Sequence, residues 1–158
     1  MTRAVEPAQA LIREFEGLRH ELYLCPAGVW TIGYGHAVSR NEPEARALYP
    51  RGRSISTGEA EGLLWRDVSA VASAIDRLVT VRLTNNQFCA LISFVFNVGI
   101  GAFKRSTLLR KLNAGDYAAV PAQLKRWTRG GGKVLLGLKR RREAEARLWL
   151  TPDGDRQI

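Results

Sequence analysis

Apolar and polar positions alternate along this chain with a mostly helical period. Ala8, Leu11, Ile12 and Phe15 fall on one helical face and Pro7 suits a first turn, so residues 7–16 read as an amphipathic helix. Gly17 ends it and leaves Glu16 at or beside the helix C-terminus. Residues 22–24 and 30–34 then read as two short strands joined by Cys25-Pro26-Ala27-Gly28, a turn composition. Gly33 and Gly35 allow the backbone to approach a ligand or another strand closely. Residues 37–55 carry prolines and charges without periodicity and read as a long surface loop.

Beyond that loop the helical period returns. Ser56 with Glu59 makes a capping-box pattern ahead of a helix to about Leu78, and Thr84 with Gln87 repeats it. The helix that follows, over residues 88–98, is apolar nearly all round and is expected at the centre of the core. Gly99 and Gly101 break it. A short helix over 106–112, another from Asp116 to about Trp127, a flexible break at Gly130–Gly132 and a closing helix over 138–150 complete the pattern. Leu138, Leu148 and Trp149 are its expected core contacts. There is no internal repeat, low-complexity linker or domain boundary. The expectation is one domain over 1–158, α+β and mostly α, with a small N-terminal β-hairpin.

Composition narrows the class. With 158 residues, 46% hydrophobic and 25% charged, the chain has the make-up of an ordinary globular protein with a sizeable core. No apolar run reaches the roughly 18–20 residues that cross a bilayer. The N-terminus lacks an uninterrupted signal-peptide core, so no cleavable signal is expected in the chain as given. Lys and Arg exceed Asp and Glu by nine (24 − 15), a charge that favours an anionic polymer or surface. The densest basic block, Lys139–Arg142, reads equally as a solvated helix face or as a binding patch. Cys89, in an apolar run, is expected in the core, and Cys25, in a turn, more accessible; both are expected as free thiols. Two histidines and two dispersed cysteines show no metal-ligand spacing, and no metal or cofactor is expected.

The candidate chemistry lies in EFEGLRHELYLCPAGVWTIGYGH. Cleaving a glycosidic bond requires a proton on the leaving oxygen and a second group on the other face of the sugar. Glu16 at a helix end, opposite a hairpin bearing Cys25 and Thr31, suits such an acid-and-helper arrangement. The intervals are nine (25 − 16) and six (31 − 25), and Thr31 opens Thr-Ile-Gly-Tyr-Gly-His. This segment resembles the active-site region of the phage-type lysozymes, the family of the T-even phage lysozyme and many endolysins. The likeness continues through Asn86-Gln87-Phe88, Phe96-Asn97-Val98-Gly99, Ser106-Thr107-Leu108-Leu109, Arg126-Trp127 and the Gly137-Leu138-x-Arg-Arg-Arg-x-x-Glu close.

The resemblance implies a two-lobed lysozyme-like fold and a muramidase that cuts peptidoglycan between N-acetylmuramic acid and N-acetylglucosamine. It implies Glu16 as general acid, Thr31 as a residue that holds water, and Phe96, Asn97 and Ser106 along the saccharide cleft. Gly33, Gly35 and His36 would support the site, His36 by a hydrogen bond or ion pair. Cys25 departs from the family, which usually carries aspartate there. Its sulfur could act as base or nucleophile, with Arg19 and His20 as candidate neighbouring cations, or the position could be inert. Two other readings follow from Cys25: a catalytically impaired wall-binding protein, and a thiol peptidase or amidase pairing Cys25 with His36. The expected partner is peptidoglycan, with an anionic outer-membrane or wall surface as a second one through the basic C-terminal helix. No nucleic acid is expected, and a monomer is. The expected setting is synthesis in the host cytoplasm and action in the periplasm.

Overall fold

A computed structural model describes residues 3–154. Its chain forms two compact units, one of residues 12–67 and the other of the flanking segments, each described by itself.

The unit of residues 12–67 takes the end of α1 (Glu6–Glu16), three antiparallel strands, α2 (Glu42–Leu48) and the beginning of α3 (Thr57–Leu78). Strands β1 (Arg19–Leu24), β2 (Trp30–Gly33) and β3 (His36–Ser39) pair in chain order, with Tyr23 opposite Thr31 and Ile32 opposite His36. The expected hairpin is therefore a three-stranded sheet. Leu22, Ile32, Ala45, Ile55, Ala60 and Leu63 form its core, with Trp30 and Tyr34 packed against them.

The expected loop at 37–55 is likewise ordered into the rest of β3 and α2. Its prolines and charges are helix-start chemistry. Asn41 caps α2 by accepting from the Glu44 N–H, and Pro43 sits in the first turn. A seven-residue helix that buries only Ala45 has no apolar stripe for the sequence pattern to show.

In the other unit, α4 (Asn85–Val98) buries every residue from Phe88 to Val95. Its start matches expectation: the Thr84 hydroxyl accepts from the Gln87 N–H, and the Gln87 side chain accepts from the Thr84 N–H. The later part of α3 contributes Val68, Val71, Ala74 and Ile75 to this core. Cys89 is fully buried and donates its S–H to the Ala4 carbonyl at 3.2 Å; burial pushes the thiol up to about 11. Both cysteines are free.

Three expectations change here. A helix the pattern did not show, α5 (Ile100–Lys104), follows Gly99; next comes α6 (Thr107–Asn113). The expected helix from Asp116 to Trp127 is a 3₁₀ turn at Tyr117–Ala119 followed by α7 (Val120–Leu124). Pro121, which lacks an N–H, sits where a new helix starts rather than where one continues. The glycine break is a β-hairpin, β4 (Arg129–Gly130) with β5 (Lys133–Val134). Gly131 and Gly132 both take positive φ, 58° and 78°, as a tight two-residue hairpin turn requires.

The largest correction concerns α8 (Leu136–Leu150). Trp149 is buried as expected, whereas Leu138 and Leu148 are only half-buried. The buried stripe is instead Arg142, Glu145, Ala146 and Trp149, with Arg141 beside it. Two cations of the basic block are thus interior, neither a solvated face nor a surface patch. Arg142 Nε lies 2.7 Å from Glu145 Oε1, its Nη2 donates to Asn97 Oδ1 at 3.0 Å, and its guanidinium stacks on Phe94. Arg141 donates to the Ser93 carbonyl at 3.1 Å. Burial raises the Glu145 carboxyl to about 7, and the two guanidiniums pull against that rise.

Removing one member of such a pair leaves a charge stranded in the interior. Glu145→Ala is expected to cost about 3–5 kcal/mol in urea unfolding. Arg140→Ala, on the exposed side of the same helix, is expected to cost no more than about 0.5 kcal/mol.

Candidate active site

The residues that the sequence picks out for chemistry lie within the unit of residues 12–67. Gly17, at φ 71°, ends α1 in the left-handed conformation, and its N–H closes the last turn on the Arg13 carbonyl at 3.0 Å. Glu16 is thereby fixed as the final helical residue, half-buried. Its carboxyl group lies over Gly35 in the turn between β2 and β3. A methyl group added to Gly35 would stand 2.7 Å from Glu16 Oε2 and 2.8 Å from Cδ. Gly35 also has φ 70°, so both its backbone and its missing side chain are needed. Gly33, at φ 66°, lies against Ala60 of α3, where an added Cβ would sit at 3.4 Å.

Cys25 and Thr31 are joined by one carbonyl. The oxygen of Val29 accepts from the Cys25 N–H at 2.9 Å and from the Thr31 hydroxyl at 2.9 Å. The Gly28 N–H returns to the Cys25 carbonyl and closes the turn. Cys25 is half-buried and Thr31 is 5% exposed. Because the Thr31 proton goes to Val29, what its oxygen can offer a water is a lone pair.

Tyr23 links the two ends of this constellation. It pairs with Thr31 across the strands, which places both side chains on one face of the sheet. Its phenol is raised by burial, then by the Glu16 carboxylate, with a further push from Cys25 and a pull from Arg19. Sequence reasoning missed Tyr23. The alternation of β1 alone would have set it on the same side as Cys25.

Of the cations proposed for Cys25, Arg19 stacks on the Tyr23 ring at 4.4 Å. His20 is turned to the Ile55 carbonyl, to which its Nδ1–H donates at 2.8 Å. The His36 Nδ1–H donates to Asp67 Oδ2 at 2.8 Å, tying β3 to α3. Neither of these Nδ1 contacts involves Cys25.

In the other unit, Phe96 is half-buried and Asn97 exposed at the end of α4, with the Asn97 amide oxygen accepting from Arg142. Ser106 is 4% exposed and caps α6, its oxygen accepting from the Leu109 N–H at 3.1 Å while its proton goes to the Phe103 carbonyl at 2.7 Å. No group of three or more His, Cys, Asp or Glu side chains suited to a metal ion occurs among the described residues.

Residues 13–145 match the phage lysozyme family. The chain belongs to that family. It is 40% identical over 148 residues to an endolysin of Acyrthosiphon pisum secondary endosymbiont phage 1, covering 91% of this chain and 95% of the relative. An endolysin of Bacillus phage B103 is 43% identical over 143 residues; the match takes 89% of this chain but about half (51%) of that longer protein. Among solved structures, the muramidase domain of SpmX from Asticaccaulis excentricus superposes with a TM-score of 0.81 at 36% identity, over 96% of this chain and all (100%) of the other. This phage lysozyme is accordingly a glycoside hydrolase of the endolysin type, degrading peptidoglycan.

Two outcomes test the geometry. Gly35→Ala is expected to lower lytic activity by about a hundredfold, because it must displace the Glu16 carboxyl by roughly an ångström. A disulfide thiol reagent is expected to modify Cys25 in the native lysozyme and Cys89 only after unfolding, a two-step count readable by mass spectrometry.

Proposed function

We propose that this phage lysozyme hydrolyses the β-1,4 bond between N-acetylmuramic acid and N-acetylglucosamine, with Glu16 as the general acid. The observation that carries the reading is the seating of the Glu16 carboxyl on Gly35, within one unit that also holds the Cys25–Val29–Thr31 link. Glu16 gives its proton to the leaving oxygen as the bond to the sugar C1 breaks. A water, donating one hydrogen to Thr31 Oγ1, forms the new bond to C1 from the opposite face. Its second proton passes to Cys25, and from there to solvent, when the sulfur is a thiolate. Glu16 regains a proton from solvent, which balances the one released there through Cys25.

Phe96 and Asn97 are proposed as saccharide contacts, with Ser106 behind them as the cap of α6. The enzyme is proposed to act as a monomer, made in the host cytoplasm and reaching the wall from the periplasmic side. No helix among the described residues is long and apolar enough to cross a membrane. The net charge of +9 supports attraction to an anionic wall or outer-membrane surface. On α8 that attraction falls to Lys139, Arg140 and Arg147, which are exposed, and not to Arg141 and Arg142.

Turbidity clearance of permeabilised Gram-negative cells tests the roles. Glu16→Gln is expected to clear cells at least about a thousandfold more slowly than wild type, the scale of a lost general acid. Cys25→Ala is expected to lose at least about tenfold, and Cys25→Asp to keep or improve lysis. Equal clearance by wild type and Glu16→Gln would refute the assignment, and near-total loss in Cys25→Asp would show a site rebuilt around sulfur.

A further inference from the structure

A forked ion pair stands beside the acid. Arg13, one helical turn ahead of Glu16, forms a two-pronged bridge to Glu61 of α3: Nε to Oε1 at 2.9 Å and Nη2 to Oε2 at 2.8 Å. Tyr34, in the turn that supplies the floor beneath Glu16, stands beside Glu61. Arg13, chiefly through its hydrogen bonds, holds the Glu61 carboxyl below the usual carboxylate range, and Tyr34 adds to the effect.

We propose that Glu61 is a positioning residue for Glu16, gripping through Arg13 the helix turn that carries the acid. The inference rests on the general-acid reading of Glu16. Glu61 itself touches no reacting atom. Arg13 belongs to the last turns of α1, whose place against α3 sets where the Glu16 carboxyl stands. Half-exposed ion pairs of this kind contribute little to stability, usually under about 1 kcal/mol. A forked Arg–carboxylate contact fixes direction as well as distance, and acid catalysis falls steeply when the donor moves by an ångström.

The test is steady-state kinetics on soluble peptidoglycan oligomers for wild type, Glu61→Ala, Glu61→Gln, Tyr34→Phe and Glu16→Gln, with a thermal melt of each to confirm folding. Glu61→Ala is expected to lower kcat by about tenfold or more while KM stays within about twofold, since the ground-state complex does not use the acid. Glu61→Gln leaves one acceptor oxygen, hence a single-pronged contact to Arg13, and is expected to give a kcat between those of Glu61→Ala and wild type. Tyr34→Phe removes the hydroxyl beside Glu61 without touching the Arg13 fork and is expected to give a smaller fall in kcat, again at constant KM. It also answers the question if Glu61→Ala does not fold. A lower melting temperature with wild-type kcat per folded molecule would overturn the proposal, as would a rise in KM at constant kcat. Should Glu16→Gln be inactive while Glu61→Ala and Tyr34→Phe match wild type, positioning alone fails. Should Glu16→Gln remain active, the acid assignment fails first.

Discussion

The chemistry proposed for this lysozyme depends on a steric constraint: a carboxyl group rests where a side chain would otherwise be. Gly35 combines a left-handed backbone with a bare Cα, and the Glu16 carboxyl occupies the space thus left. Gly17 ends the helix immediately after Glu16. The Glu16 carboxyl is therefore bounded along the chain by one glycine and in space by another. The Thr31 hydroxyl and the Cys25 backbone, in contrast, are held by a shared hydrogen-bond acceptor, the Val29 carbonyl. Preorganisation here is a matter of backbone geometry first and of side-chain partners second.

The two units use charge differently. In the unit of residues 12–67 the ion pairs are half-exposed and directional, Arg13 with Glu61 and His36 with Asp67, each joining an element near Glu16 to α3. In the other unit the pair is sealed. Arg142 and Glu145 are fully buried on the face of α8 that a purely apolar helix would give to the core. Such a pair adds little net stability compared with well-packed apolar residues, yet breaking it is costly. Its neighbours Asn97, Phe94 and Ser93 all lie on α4, so the pair ties α8 to the central helix.

Much of this was legible in the sequence where a repeat or a cap left a mark. The capping boxes at Ser56 and Thr84 locate α3 and α4 closely, and the spacing of Glu16, Cys25 and Thr31 picks out the candidate site. Short elements were not legible. Helix α2 buries one residue, α5 starts from a glycine, and the β4–β5 hairpin rests on two glycines that could equally mark a loose segment. Buried charge was misread because Arg141 and Arg142 look solvated until their partners, distant in sequence, are brought beside them. Tyr23 and Glu61 escaped for a similar reason. A tyrosine in a strand and a glutamate in a helix carry no signal of their own; pairing with Thr31 and with Arg13 gives them meaning.

The central claim is that this constellation breaks a glycosidic bond by adding water at the muramic acid carbon. The most direct measurement is mass spectrometry of muropeptides released from purified sacculi digested in ¹⁸O-labelled water. The account predicts disaccharide peptides with one heavy oxygen at the reducing N-acetylmuramic acid end. Anhydro-sugar ends, free stem peptides without sugar, or label at the N-acetylglucosamine end would contradict it.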